Sequence, residues 1–310
     1  MKTSLLSLLL AVSLFCAAHE GGNFVASDML ASMKPGEKAA LLMVHFGTTH
    51  DDTSAQTIDA VNAQARKAFP DLEFREAYTS RIIIRRLKPT PLDALLQLRG
   101  EGYTHIIVQS TNIIDGVEME SLRRDVESVL PFFKEIRVGT PLLYSVEDAE
   151  KVAGILGRRL DASVRQGAKK KSQEHFVLVG HGTYTPGTAA YSQMDYMLKA
   201  AGFGNFHVGT IEGYPTFETM LAQLKAAQAK SVTLVPFMFV AGDHAKNDIA
   251  GEWREMLEKE GYTVHVRMEG LGQIPEIQEI FTDHIRFGLK HRMQGIMEKK
   301  AAYAAGEKNE

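Results

Sequence analysis

Residues 176–191 read FVLVGHGTYTPGTAAY. The first four side chains are apolar and rich in valine and leucine, which suits a buried strand. Gly180 and Gly182 interrupt the run, and from about Ala189 apolar residues recur at helical spacing. The stretch therefore predicts strand, glycine turn and helix, with His181 just beyond the strand. Residues 39–49, AALLMVHFGTT, repeat the pattern and lead into a helical pattern over 53–68.

The likeness between the two copies continues along the chain. FREAYTS (74–80) answers FHVGTIEG (206–213), YTHIIVQSTNIIDG (103–116) answers SVTLVPFMFVAGDH (231–244), and EIRVGTPLL (135–143) answers YTVHVRMEGLG (262–272). Continuous Val/Ile/Leu-rich strands alternating with helices form parallel sheets covered on both faces. The expectation is an α/β protein of two similar doubly wound parallel-sheet domains produced by internal duplication, over 37–145 and 146–272. Beyond Gly272, IPEIQEIFTDHIRFGLKHRMQGIMEKK has proline near its start and apolar residues at helical spacing. It predicts one long helix over 273–300 packing back across both domains, with 301–310 frayed.

A chain of 310 residues, 45% hydrophobic and 24% charged, can bury a large core. Its formal net charge of −3 leaves no basic excess for nucleic acid, so any selectivity for anions has to be local. Lys2, the apolar run 5–15 and the pair Ala17-Ala18 stand in the order of a secretory leader, with cleavage expected after Ala18 and a second site near Ser27. The run is too short to span a bilayer as a mature helix, so export to the periplasm without a stable membrane anchor is expected. The single cysteine, Cys16, lies within that leader, so disulfides, thiolate ligands and cysteine nucleophiles are excluded from the mature chain.

Ligands of open parallel sheets bind beyond the carboxyl ends of the strands. That position holds His181 after the first strand of the second half, Glu212 after the second and His244 after the third. Two imidazoles and a carboxylate converging there suit a divalent first-row metal with open coordination positions. Gly180, Gly182, Gly213 and Gly242 beside them would let a flat ligand approach the backbone. His45 is the near-equivalent of His181 in the first half, offset by one residue, and is a candidate substrate contact. The segment SRIIIRRLKPT (80–90) contributes Arg81, Arg85, Arg86 and Lys88, whose charges suit carboxylates. His284 and His291, on the face of the expected terminal helix, read as structural or solvated.

The motifs LLMVHFGTTHDDT, LVGHGTYTP, GTIEGYPT and FMFVAGDHAKNDIAGE resemble those of class II tetrapyrrole chelatases, specifically the anaerobic sirohydrochlorin cobaltochelatase family, whose fold is related to ferrochelatase. The resemblance covers most of the mature chain. It implies insertion of Co(II), or Fe(II), into sirohydrochlorin, with His181, Glu212 and His244 as metal-binding residues and His181 and Glu212 as catalytic groups. Arg81, Arg85, Arg86 and His45 are the candidate contacts to the octacarboxylate macrocycle. No organic cofactor is implied, the metal being itself a substrate, and self-association is compatible with the resemblance. The competing reading is an exported metal- or tetrapyrrole-binding protein serving transport, including the metal-binding components of ABC transporters. The equivalent short strands of the two halves favour the chelatase. The sequence has no G-x-S-x-G, H-E-x-x-H or G-x-x-x-x-G-K motif.

Overall fold

The computed structural model describes residues 23–161, 174–242 and 245–305; the expected leader 1–18, the lysine run 169–171 and His244 lie outside them. A short strand, β1 (Phe24–Ala26), precedes the first half of the fold. That half runs β2 (Ala39–His45), α1 (Asp51–Gln56), α2 (Ile58–Ala68), β3 (Glu73–Tyr78), α3 (Arg81–Ile84), α4 (Pro91–Gly100), β4 (His105–Ser110), α5 (Val117–Val129) and β5 (Glu135–Val138). After α6 (Val146–Leu160) the second half runs β6 (Glu174–Gly182), α7 (Ala189–Ala200), β7 (Phe206–Glu212), α8 (Phe217–Ala226) and β8 (Ser231–Pro236). A π-helical segment (Ala245–Trp253) then continues into α9 (Arg254–Lys259) and β9 (Thr263–Val266).

Both four-stranded sheets are parallel, and they share one topology: β3-β2-β4-β5 in the first half and β7-β6-β8-β9 in the second. The matching order gives the sequence duplication its structural form. In β2, Ala40 to His45 are all buried, and in β4 all six residues are, as strands covered on both faces require. Helix starts are set locally. Thr90 and Asp93 form a reciprocal capping box ahead of Pro91, and the Ser145 hydroxyl accepts from the Asp148 backbone at the start of α6.

The halves exchange helices. α6 packs against α7 of the second half, while α10 (Pro275–Lys290) returns to the first and lies on β4, β5 and α2. Its apolar stripe, Ile277, Ile280, Phe281, Ile285 and Leu289, joins one continuous core with Met43, Ile107, Leu178, Phe206 and Phe237 from both sheets. Each such side chain removed from water stabilises by about 1.5–3 kcal/mol. The shared core fixes the carboxyl ends of the two sheets relative to each other.

The terminal helix differs from the expected 273–300. It stops at Lys290, where His291 takes extended dihedrals (φ −137, ψ 145), and His291–Met293 form β10, paired antiparallel with β1. A separate helix, α11 (Ile296–Ala304), follows Gly295, so Ala301 to Ala304, expected to fray, are helical. The cause is the N-terminal strand, which offers a backbone edge that a continuing helix could not use. Arg137 fastens the ribbon, its buried guanidinium donating to the carbonyls of Ser27, Gly288 and His291. β1 ends one residue before Ser27, the second of the two expected cleavage positions. The helical pattern over 53–68 is likewise two helices, broken at Thr57, whose hydroxyl donates to the Thr53 carbonyl. His284 is buried, with Nε2 3.0 Å from an Asp148 carboxylate oxygen, and His291 stacks on Phe287.

Candidate active site

A cavity of about 320 Å³ opens between the halves. Its walls come from the segments that follow six strands: Phe46 after β2, Ile83 after β3, Asn112 after β4, His181 at the end of β6, Glu212 at the end of β7 and Phe239 after β8. Strand direction gathers the residues of each half, because all carboxyl ends of a parallel sheet open on one side, and the shared core turns the two sets toward one cavity.

His181 and Glu212 are both half-buried and line this one cavity. Gly182 pairs with Glu212 across β6 and β7, so His181 lies one residue from the partner of Glu212. Gly182 has φ +90, a conformation glycine adopts without strain. His244, the third expected ligand, lies outside the described residues; Gly242, two positions before it, lines the cavity and packs toward the Thr48 hydroxyl of the first half.

Gly180, Gly182 and Gly213 serve the protein rather than an incoming ligand, whereas Gly242 faces the cavity with its nearest neighbour, the Thr48 hydroxyl, 3.2 Å from where a β-carbon would stand. A β-carbon on Gly180 would lie 2.7 Å from Cζ of Tyr191, one on Gly213 would lie 2.5 Å from the Thr183 carbonyl oxygen, and one on Gly182 would overlap the Glu212 carbonyl. The space beside these three glycines is filled by side chains and backbone that set the wall.

His45 also lines the cavity, but it is buried and both ring nitrogens are engaged. Asn62 donates through Nδ2 to Glu76, which leaves its Oδ1 to accept from His45 Nε2–H at 2.9 Å. Nδ1 then accepts from the Thr111 hydroxyl at 3.0 Å. Burial pushes the imidazole pKa down to about 4, against a smaller upward effect of Asn62, so the ring is neutral and serves as packed wall. Arg81, Arg85 and Arg86 are exposed on and just after α3 and do not line the cavity; Ile82 and Ile83 of the same helix do.

Two further lining residues do not stand out by spacing. Glu118, second in α5, brings a carboxylate from the first half to the cavity that holds His181 and Glu212. Tyr191, third in α7, reaches it from beneath β6. A glycine just before a helix, as at Gly116, is the only signal that could have pointed to Glu118. Among the described lining residues there is no lysine or arginine, and the carboxylates are Glu118 and Glu212. The remaining wall is largely apolar, with Ile82, Ile113, Val117 and Phe237 among its members. Such a surface attracts a divalent cation and an apolar ring face, and its described residues offer neutral donors, rather than a lysine or arginine, to a carboxylate inside.

Two like-ordered parallel sheets, one shared core and a cleft at the strand ends define a chelatase-type α/β protein. Solved structures share this architecture: SirB from Bacillus subtilis with Fe3+ superposes with a TM-score of 0.59 at 17% identity, covering 81% of this chain and 96% of that one. The structure of CbiX, described as the terminal enzyme of sirohaem biosynthesis in denitrifying bacteria, gives 0.51 at 16% identity, covering 80% and 98%. Both establish the fold alone. The chain belongs to the cobalt chelatase (CbiK) family, matched over residues 39–289. It is 35% identical over 263 residues to the sirohydrochlorin cobaltochelatase of Salmonella typhimurium, covering 81% of this chain and 97% of the relative. It is 32% identical over 273 residues to the sirohydrochlorin cobaltochelatase CbiKC of Nitratidesulfovibrio vulgaris, covering 83% and 94%. β1, β10 and α11 all fall outside the matched span.

Proposed function

We propose that this chain inserts Co(II) into sirohydrochlorin, and that Fe(II) is a second metal it accepts. The observation that carries the reading is the meeting of His181 and Glu212 at adjacent strand ends of a cavity with acidic and apolar walls, in a chain of the cobalt chelatase family. The metal and the macrocycle are both substrates. Two pyrrole N–H protons leave as the metal enters, so the site must hold a cation, accept protons and keep the ring in place.

His181 is suited to two of these tasks in turn, since a neutral imidazole offers a lone pair to a metal or to a proton. Glu212 offsets the cation's charge as water ligands are shed, and His244 is the third ligand of the proposed set. The apolar wall receives the ring face, and carboxylate arms that project from the mouth meet Arg81, Arg85 and Arg86. We also propose that the chain works in the periplasm, on the strength of the leader-like order of residues 2–18; cell fractionation with N-terminal sequencing of the mature chain tests this.

The test of the activity is anaerobic incubation of the protein with sirohydrochlorin and Co(II) or Fe(II), followed by absorption. Acceleration over the protein-free reaction is expected, and its loss in His181→Ala with the fold retained. No acceleration with either metal would remove the enzymatic reading.

A further inference from the structure

We infer that Tyr191 is a substrate-binding residue whose phenolic hydrogen is donated to a carboxylate arm of the macrocycle. The inference rests on the chelatase reading above and concerns the same cavity. Tyr191 is only 2% exposed, yet it lines the cavity. Its ring edge is seated in the space left by the absent side chain of Gly180 and meets Phe237 edge-on, with centroids 6.0 Å apart. The ring is thereby fixed, and the hydroxyl is carried to the strand end that bears His181.

The hydrogen-bond inventory at that oxygen is one-sided. Its partner among the described residues is the Gly182 backbone N–H at 3.4 Å, which donates; the phenol is the acceptor. No described residue accepts its O–H hydrogen, which is therefore available to a ligand in the cavity. Burial raises the phenol pKa to about 12, against a smaller lowering by Gly182, so the hydrogen stays on the oxygen at neutral pH.

Placement decides which acceptor meets it. The ring nitrogens of a tetrapyrrole lie at its centre and must face the metal held at His181 and Glu212. The groups that radiate from the centre to a wall are the carboxylate arms. No lysine or arginine lines the cavity among the described residues, so an arm that enters is held by neutral donors, and Tyr191 is a rigidly seated one. Gly180 and Tyr191 thus form a unit: the glycine makes room for the ring, and the ring aims the hydroxyl.

The experiment compares the full chain with Tyr191→Phe, which keeps the ring and removes only the oxygen. Without metal, sirohydrochlorin and its octamethyl ester are each titrated by fluorescence quenching; Co(II) affinity and Tm are measured alongside, and turnover kinetics with metal. Expected are a Kd for sirohydrochlorin about tenfold weaker, the equivalent of about 1.4 kcal/mol, and a KM raised in proportion with a much smaller change in kcat. The ester, a weaker and uncharged acceptor, should show a clearly smaller loss, with Co(II) affinity and Tm unmoved. Equal Kd values for sirohydrochlorin overturn the inference, as does an equal loss toward the ester, or a loss seen in Co(II) affinity or Tm instead. A wild-type chain that binds no sirohydrochlorin overturns the functional reading itself, and the two failures are thereby told apart.

Discussion

The backbone of Gly182 lies so close to Glu212 that a β-carbon at position 182 would overlap the Glu212 carbonyl oxygen. The two residues are partners across β6 and β7, and Gly182 has φ +90. The strand ends that carry His181 and Glu212 are therefore set by one contact that only glycine permits. Gly182→Ala has to push the two ends apart, and the left-handed conformation itself costs an alanine about 1–2 kcal/mol. We expect Co(II) affinity to fall at least tenfold, with a Tm decrease of a few degrees, in calorimetric titration and thermal unfolding. An alanine variant with wild-type affinity would mean that the spacing of these ends does not govern metal binding.

Acid should destabilise the protein through two buried imidazoles, His45 and His207. Burial holds each near pKa 4; at His207 hydrogen bonding to Gln223 opposes this in part. At His207 the Gln223 amide oxygen accepts from Nδ1–H, so Nε2 keeps its lone pair and accepts from His175 Nδ1–H at 3.0 Å. In the unfolded chain both rings take up protons near the ordinary value of about 6.5. Their folded pKa values are depressed, so between pH 6.5 and 4 the unfolded state binds more protons. Stability from this source is complete above pH 6.5 and is lost as pH falls toward 4, by roughly 3 kcal/mol per ring at most. Urea unfolding at half-unit pH steps should show the decline, and His207→Gln should remove about half of it, leaving the part due to His45. A flat profile from pH 6.5 to 5 would rule it out.

Much of this architecture is legible in the sequence because its signals are periodic and local. The duplicated strand, glycine and helix pattern gave both sheets, and the strand-end rule brought His181 and Glu212 to one cavity. What stayed hidden depends on partners distant in the chain. Nothing in residues 291–293 announces that they pair with residues 24–26 and stop a helix of good apolar spacing. The glycines near His181 read as room for a ligand, while their real occupants, Tyr191 and the Glu212 carbonyl, come from elsewhere in the chain. Glu118 sits in an ordinary amphipathic helix, and only the packing of one half on the other brings it to the cavity.

The exposed arginines after β3 give a prediction with a distinct signature. Arg85 and Arg86 are solvated and do not line the cavity, but Ile82 and Ile83 of the same segment do. Arms of the macrocycle reaching out of the mouth would meet them under solvent screening, where each contact is worth about 0.2–1 kcal/mol. Arg85→Ala with Arg86→Ala should weaken sirohydrochlorin binding about threefold to tenfold at low salt, and the difference from wild type should shrink by 0.5 M salt. Co(II) affinity should not move. If the double variant binds the macrocycle as wild type does at low ionic strength, the segment is ordinary surface.

Glu118 supplies the last prediction. Insertion releases two protons from the macrocyclic centre, and one base on one wall serves only one of them well. His181 belongs to the second half, and Glu118 reaches the same cavity from the first half, so a ring bound between the halves has an acceptor from each. A positioned base is worth about a hundredfold or more in rate. Glu118→Gln preserves shape and hydrogen bonding but removes the proton-accepting charge. It should fold with an unchanged Tm and lower the insertion rate about a hundredfold. Sirohydrochlorin affinity should hold or improve, because one carboxylate no longer repels the carboxylate arms. Stopped-flow absorption at saturating Co(II) separates the two effects. A Gln variant that inserts metal at the wild-type rate would leave His181 as the acceptor for both protons, and a variant that loses only Co(II) affinity would make Glu118 a ligand instead.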